Sequence, residues 1–239
     1  MIGLLWNSRG LNRPDKLFRA GDLIREQHPD FLSFSESKKS DFSYAHLQVL
    51  DSQNTFVWNW LPAVGTAGGI LVGINSEVFE VLSWTIYKFS VSCLLKTKRD
   101  RFTWNFVSVY GSAYDEHKLE FINELHNILA SWSGPTLVGG DFNLIRGSCE
   151  INTSNINHHW ANLFNDWINS FGLIEIKCSG RSFTWSNNQD VLSWLLSTES
   201  LFPHVGMVFT LLAKLELCPG WGVIIPIWLL ILGFGCSHS

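Results

Sequence analysis

The sequence predicts an α+β fold, a four-layer α/β/β/α sandwich in which two sheets pack face to face with helices outside. Three observations predict it. Strand-like apolar runs cluster between residues 55 and 110, at Thr55–Leu61, Gly69–Ile74, Phe79–Trp84, Tyr87–Leu95 and Phe102–Tyr110. They are rich in β-branched and aromatic residues and are separated mostly by turn formers. Helical patterns fall before and after this cluster, and the stable way to bury many strands and a few helices is in packed layers. The chain is also core-forming, with 46% hydrophobic and 16% charged residues, and its 239 residues fit one α/β domain.

The elements follow in order. Ile2–Trp6 reads as a buried strand ended by Asn7-Ser8-Arg9-Gly10. Pro14 opens a helix to about Gln27, with Leu17, Ala20 and Ile24 on one face, and Pro29 stops it. Phe31–Phe34 is the next strand and leads into Glu36. After the strand cluster, Asp115–Trp132 is the clearest helix, with Phe121, Ile122, Leu125, Ile128, Leu129 and Trp132 as its apolar stripe. Pro135–Val138 is a short strand running into Gly139-Gly140-Asp141-Phe142-Asn143. Trp160–Phe171 repeats the helical pattern at Trp160, Leu163, Phe164, Trp167, Ile168 and Phe171, and Ser182–Trp185 is a last strand. No internal repeat is visible.

Charge and cysteines exclude several classes. A net charge of −4 supplies no overall attraction to nucleic acid, so DNA contact needs a local basic patch. Lys38–Lys39 and the run Lys96, Lys98, Arg99, Arg101 are the candidates, the second reading first as a solvated hairpin tip. The five cysteines are scattered and without metal-site spacing, which argues against a disulfide framework or a zinc site. No signal peptide is evident, which predicts an intracellular protein, nuclear or cytoplasmic. On that reading the sequon Asn152-Thr153-Ser154 is accidental. His158-His159 reads as a helix flank, and Trp58-Asn59-Trp60 as core packing before base stacking.

Polar residues recur at strand ends, at Asn7, Glu36, Tyr110, Asp141 and Asn143, with Thr184 in a later strand. Strand ends can converge on one rim of a sheet, and carboxylates there suit a hard cation such as Mg²⁺. Singly, each is an ordinary turn former. As an ordered set, Trp6-Asn7-Ser8-Arg9-Gly10, Ser35-Glu36-Ser37-Lys38, Val109-Tyr110-Gly111-Ser112, Gly139-Gly140-Asp141-Phe142-Asn143 and Phe183-Thr184-Trp185-Ser186-Asn187 resemble the endonuclease/exonuclease/phosphatase superfamily. Leu11-Asn12-Arg13-Pro14-Asp15-Lys16, Thr66-Ala67-Gly68-Gly69-Ile70-Leu71 and Gly180-Arg181-Ser182-Phe183-Thr184-Trp185 narrow it to a resemblance to the endonuclease domain of plant LINE-type retrotransposons.

The resemblance covers about residues 2–190. It implies two mixed sheets, incomplete at the C-terminus, with residues 1–190 as the domain and 191–239 as a degenerate tail. It implies that Glu36 binds Mg²⁺ (or Mn²⁺) with Asn7 beside it. Asp141 would orient or deprotonate the attacking water, Asn143 would hold the scissile phosphate, and Tyr110 and Thr184 would contact phosphate or metal-bound water. DNA is the implied partner, and no protein partner is expected. Ser37 stands where the family commonly has Thr.

Two further family motifs are missing. A Leu-Asp-Arg-like segment aligns with Leu192-Ser193-Trp194, where Ser193 replaces Asp and Trp194 replaces Arg. A late Ser-Asp-His is absent; beyond residue 190 the histidines are His204 and His238, and neither follows Asp. The uncharged run Cys218–Gly235 stands there instead. Gly222–Pro226 can be encoded GGA GTG ATC ATA CCN, and a shifted frame of that DNA reads Ser-Asp-His-Thr. The same frame through Leu230–Gly235 can read Asp-Ser-Gly-Val-Trp. The expectation is therefore a frame-shifted tail and impaired catalysis. Two alternatives stay open: a working abasic-site endonuclease or phosphatase, and a non-catalytic remnant with residues 217–236 associated with a membrane.

Overall fold

A computed structural model describes residues 1–65, 67–147 and 157–173 in full, with the backbone of Ile174, Glu175 and six later strands. The first half runs β1 (Ile2–Asn7), α1 (Pro14–Gln27), β2 (Phe31–Ser35), α2 (Tyr44–Leu50), β3 (Phe56–Leu61), β4 (Ile70–Asn75), β5 (Phe79–Ile86), β6 (Ser90–Thr97) and β7 (Thr103–Tyr110). Then come α3 (Asp115–Ser131), β8 (Thr136–Asp141), α4 (His158–Ser170) and β9 (Leu173–Glu175). The later strands are β10 (Cys178–Ser179), β11 (Trp185–Ser186), β12 (Trp194–Leu195), β13 (Ser200–Pro203), β14 (Thr210–Lys214) and β15 (Ile225–Leu230).

Two large mixed sheets result. One has the order β10-β14-β15-β1-β2-β4-β3, the other β5-β6-β7-β8-β13-β9, and β11 pairs with β12 alone. Each large sheet holds one central parallel pair, β1 with β2 and β7 with β8, among mostly antiparallel neighbours. Parallel neighbours need a crossover; α1 supplies it between β1 and β2, and α3 between β7 and β8.

Side-chain alternation along the strands sorts the core into three layers. Leu4 and Trp6 of β1, Leu32 and Phe34 of β2 and Leu71 of β4 face Leu17, Ala20, Leu23 and Ile24 of α1. Val107 and Val109 of β7 and Val138 of β8 face Phe121, Leu125 and Ile128 of α3 and Phe164 and Trp167 of α4. Between them Leu5, Phe31, Val72, Phe106 and Leu137 meet across the two sheets. Three apolar interfaces make four layers, as the sequence predicts.

The inter-sheet layer changes character along its length. On β2 its inward residues run Phe31, Ser33, Ser35, and on β7 they run Trp104, Phe106, Ser108, Tyr110. Phe31 packs on Trp104 and Phe106, with ring centroids 5.6 and 4.9 Å apart. One step on, the buried hydroxyls of Ser33 and Ser108 hydrogen-bond across the sheets. One step further lie the strand ends that carry the candidate site.

Some bounds differ from expectation. α2 was not visible as a periodic pattern. It has seven residues, and its start is set by a capping box between Ser43 and His46. α3 stops at Ser131, because Trp132 turns extended and its indole N–H reaches the Pro135 carbonyl at 3.3 Å. α4 begins at His158, so His158 and His159 form its first turn. Lys98–Arg101 lie in the hairpin between β6 and β7, as expected. Trp58 and Trp60 pack toward the layer under α1 and α2.

Candidate active site

The two parallel pairs end on the same rim. In the first, Asn7 pairs with Ser35 at the last register position; in the second, Tyr110 pairs with Asp141. The Asn7 side-chain amide donates to Asp141 Oδ2 at 2.7 Å, joining the two sheets. Asn7, Glu36, Tyr110, Asp141 and Asn143 are therefore gathered at one place. Thr184 lies outside the described residues, as does Ser193.

Three loops on the Glu36 side are tied together through backbone groups. Ser8 N–H donates to Ser35 O at 3.0 Å, and Ser8 Oγ donates to the Ser35 and Glu36 carbonyls at 3.0 and 3.3 Å. Leu11 N–H reaches Ser37 O at 2.8 Å. Ser37 and Lys38 N–H groups reach Gly69 and Gly68 carbonyls, each at 3.0 Å. Gly69 is dictated by this contact: at φ +85° a Cβ there would lie 2.4 Å from Ser37 Oγ. That hydroxyl is fully buried and has no hydrogen-bond partner among the described residues.

The Asp-Phe-Asn segment is fixed by its middle residue. Phe142 is fully buried against Phe121 and Phe164, so Asp141 and Asn143 are left on the rim. Asn143 N–H donates to Asp141 Oδ1 at 3.1 Å, and its side-chain amide donates to Gly111 O at 2.7 Å. Gly111 admits no side chain, since a Cβ would meet Phe142 O at 2.0 Å. This explains why Tyr110 is followed by glycine.

Backbone strain concentrates here. Arg9, Glu36, Lys38 and Asn143 all have left-handed φ, at +49°, +52°, +54° and +48°. Non-glycine residues in this region are strained, and such strain gathers at functional sites.

The electrostatics suit proton handling by water. Burial raises the Asp141 carboxyl above the ordinary range and the Glu36 charge adds to this, while hydrogen bonds from Asn143 and Asn7 and the Arg9 charge oppose it. Burial, then the charges of Glu36 and Asp141, push the Tyr110 phenol far up, so it stays protonated. Lys38 Nζ contacts Glu36 Oε1 at 2.9 Å.

The donor set fits Mg²⁺. Two carboxylates that sense each other, Glu36 and Asp141, stand with an amide oxygen on Asn7. Mg²⁺ takes one or two carboxylates and keeps several waters. Among the described residues no three His, Cys, Asp or Glu side chains group as metal ligands.

Of the two basic patches, Lys38 and Lys39 lie on the loop beside Glu36. The Lys98–Arg101 hairpin precedes β7, whose opposite end carries Tyr110. Sequence reasoning missed Ser8 and Lys16. Lys16 Nζ donates to the carbonyls of Ser8 and Arg9 at 2.9 and 2.8 Å. A signal existed for it: Lys16 is in the first turn of a helix, where the dipole disfavours a cation.

Residues 4–198 match the sequence model of the Endonuclease/Exonuclease/phosphatase family. The fold is similar to that of an AP endonuclease from Archaeoglobus fulgidus, with a TM-score of 0.73, 11% identity, and coverage of 98% of this chain and 100% of that one. A 3′ phosphatase from Neisseria bound to a product DNA hairpin gives 0.73 at 14% identity, covering 97% and 99%. An AP endonuclease from Leishmania major gives 0.71 at 12%, covering 95% and 87%. No curated protein matches the chain in sequence.

Proposed function

The chain belongs to the Endonuclease/Exonuclease/phosphatase family, and on that premise we propose that it is the Mg²⁺-dependent DNA endonuclease domain of a plant LINE-type element, impaired in catalysis. Residues 1–190 are the domain in this reading and 191–239 an out-of-frame tail. One observation carries the chemistry: Asn7, Glu36, Tyr110, Asp141 and Asn143, drawn from both sheets, meet on one rim. The LINE reading is supported by the text around those residues, Leu11–Lys16, Thr66–Leu71 and Gly180–Trp185.

Each group has a role in nicking one DNA strand. Asp141, held by two hydrogen bonds, orients the attacking water and takes its proton. The Asn143 amide and the Tyr110 hydroxyl are donors toward the scissile phosphate. Glu36 and Asn7 would hold Mg²⁺, which neutralises charge on a phosphodiester when bound. Thr184 is assigned a phosphate contact from its motif alone.

The impairment follows from the absent Asp and Asp-His pair. Groups that act as a unit fail together, so the loss is expected to lower the rate by several orders of magnitude. The test is nicking of supercoiled plasmid with Mg²⁺, or Mn²⁺ in its place, by this chain and by one whose tail is restored to the other frame. The proposal expects background activity from the first and nicking from the second, abolished by Asp141→Ala. Robust nicking by the unrepaired chain, lost in Asp141→Ala, would replace it with a working abasic-site endonuclease or phosphatase. Genomic codons for Val223-Ile224-Ile225 that cannot spell Asp-His in another frame would remove the frameshift. Among the described residues no helix is long and apolar enough to cross a membrane. A product found only in the membrane fraction would favour the anchored remnant.

A further inference from the structure

The turn from β1 to α1 departs from relaxed geometry at consecutive residues. Arg9 is left-handed at φ +49° and Gly10 follows at +112°. For a residue with a side chain this conformation is strained. The result is that the Ser8 and Arg9 carbonyls both face α1, and Lys16 Nζ meets them at 2.9 and 2.8 Å. From the same turn, Arg9 N–H donates to Asn7 Oδ1 at 3.2 Å, while Asn7 Nδ2 donates to Asp141. The Asn7 amide is thus gripped at its oxygen by the turn and at its nitrogen by the carboxylate.

Lys16 is poorly placed for stability alone. It sits in the first turn of α1, the end of a helix dipole that disfavours a cation. Burial lowers its pKa, and the charges of Arg13, Lys38 and Arg9 lower it further, outweighing the Glu36 charge that raises it. Among the described residues no carboxylate lies within ion-pair distance of it. A cation kept in cationic surroundings and satisfied by carbonyls marks a local conflict, and such conflicts collect at functional sites.

We infer that Lys16 is a positioning residue: by gripping the Ser8 and Arg9 carbonyls it holds the strained turn that aims the Asn7 amide at Asp141. This deepens the nuclease reading and depends on it only for the word positioning. It also removes Lys16 from the count of cations available to DNA phosphates, since two of its three donors are committed inside the protein.

Amide hydrogen exchange on the full ¹⁵N-labelled chain, without metal or DNA, tests the clamp. Lys16→Met should speed exchange at the Arg9 and Leu11 amides by about ten-fold or more, as loss of hydrogen bonds to a charged donor implies. Val107 and Leu137, in the core strands, should stay within about two-fold. Lys16→Arg keeps charge and donors and should restore near-original rates, and the Asn7 side-chain amide resonances should shift in Lys16→Met and return in Lys16→Arg. Arg13→Met removes a neighbouring charge without touching the carbonyls and should leave Arg9 unchanged. Acceleration spread evenly over the protein, equal acceleration in Arg13→Met, or none in Lys16→Met overturns the inference. Should Lys16→Met not fold, Lys16→Gln supplies the contrast, and equal rates in Lys16→Gln and Lys16→Arg overturn it. Because neither DNA nor metal is used, failure of the clamp and failure of the nuclease reading are separate results.

Discussion

The amide of Asn7 and the carboxylate of Asp141 hydrogen-bond at 2.7 Å across the two sheets, although 134 positions separate them in sequence. The bond does two things. It ties the ends of β1 and β8, and together with the Asn143 N–H on Oδ1 it engages both Asp141 oxygens. Asn7→Ala removes the donor and should destabilise the protein by about 1–3 kcal/mol, the range for a hydrogen-bonded group left unpaired. Denaturant titration measures this, and a change below a few tenths of that would mean the bond holds nothing together.

Asp141 itself should act against stability near neutrality. Its carboxyl titrates above the ordinary value of 3.8, burial being the largest cause. A group whose folded pKa is raised takes up its proton on folding. Its contribution is complete below the unfolded value and is lost as pH rises through the folded one. Asp141→Asn removes this titration, so its midpoint is expected to lose less than the parent's between pH 3 and pH 7, whatever the offset from the altered hydrogen bonds. Thermal unfolding at both values decides it, and an equal change in the two proteins contradicts the assignment.

Glu36 should couple divalent cations to stability. A ligand at ten times its Kd stabilises by about 1.4 kcal/mol, which for a domain of this size is about 3–6 °C in Tm. Mg²⁺ titration followed by thermal unfolding should give a rising Tm for the parent chain and a flat one for Glu36→Gln. A rise of equal size in both would place the cation elsewhere. Removing the cation with EDTA should return the parent to its starting midpoint.

Gly69→Ala should disturb the site through Ser37. The new Cβ would sit 2.4 Å from a fully buried hydroxyl, on a backbone at φ +85°. Left-handed strain and overpacking together amount to about 2–4 kcal/mol, or roughly 5–15 °C in Tm. The paired change Gly69→Ala with Ser37→Gly should recover part of it, because the clash is relieved while the strain remains. No recovery in the double variant would show that the contact is not the cause.

Much of this was legible because strand alternation is a strong physical signal. Leu4, Trp6, Leu32 and Phe34 alternate against Leu5, Phe31 and Ser33, and that pattern already describes a strand buried on both sides. Asn7, Glu36, Tyr110 and Asp141 were readable as strand-end polar residues in an ordered set. What escaped was geometry closed by backbone groups. The ties from Ser37 and Lys38 to Gly69 and Gly68 use N–H and C=O groups that every residue carries, so no letter in the sequence marks them. Lys16 escaped because its partners are carbonyls; a carboxylate partner would have shown as charge spacing. α2 escaped because Tyr44–Leu50 spans too few turns to show a period.

The buried pair Ser33–Ser108 spans the sandwich just beneath the site and has a consequence for how the chain matures. Asn7 and Glu36 grow from one sheet, and Tyr110, Asp141 and Asn143 from the other. Neither sheet, however well formed, carries a complete set before the two dock. Pairings of such wide sequence separation form late and slowly. A chain caught partway would have its strands yet no Asp141 aligned with Asn7. The rim is assembled only by the last tertiary step, which makes docking of the sheets the event that creates the candidate site.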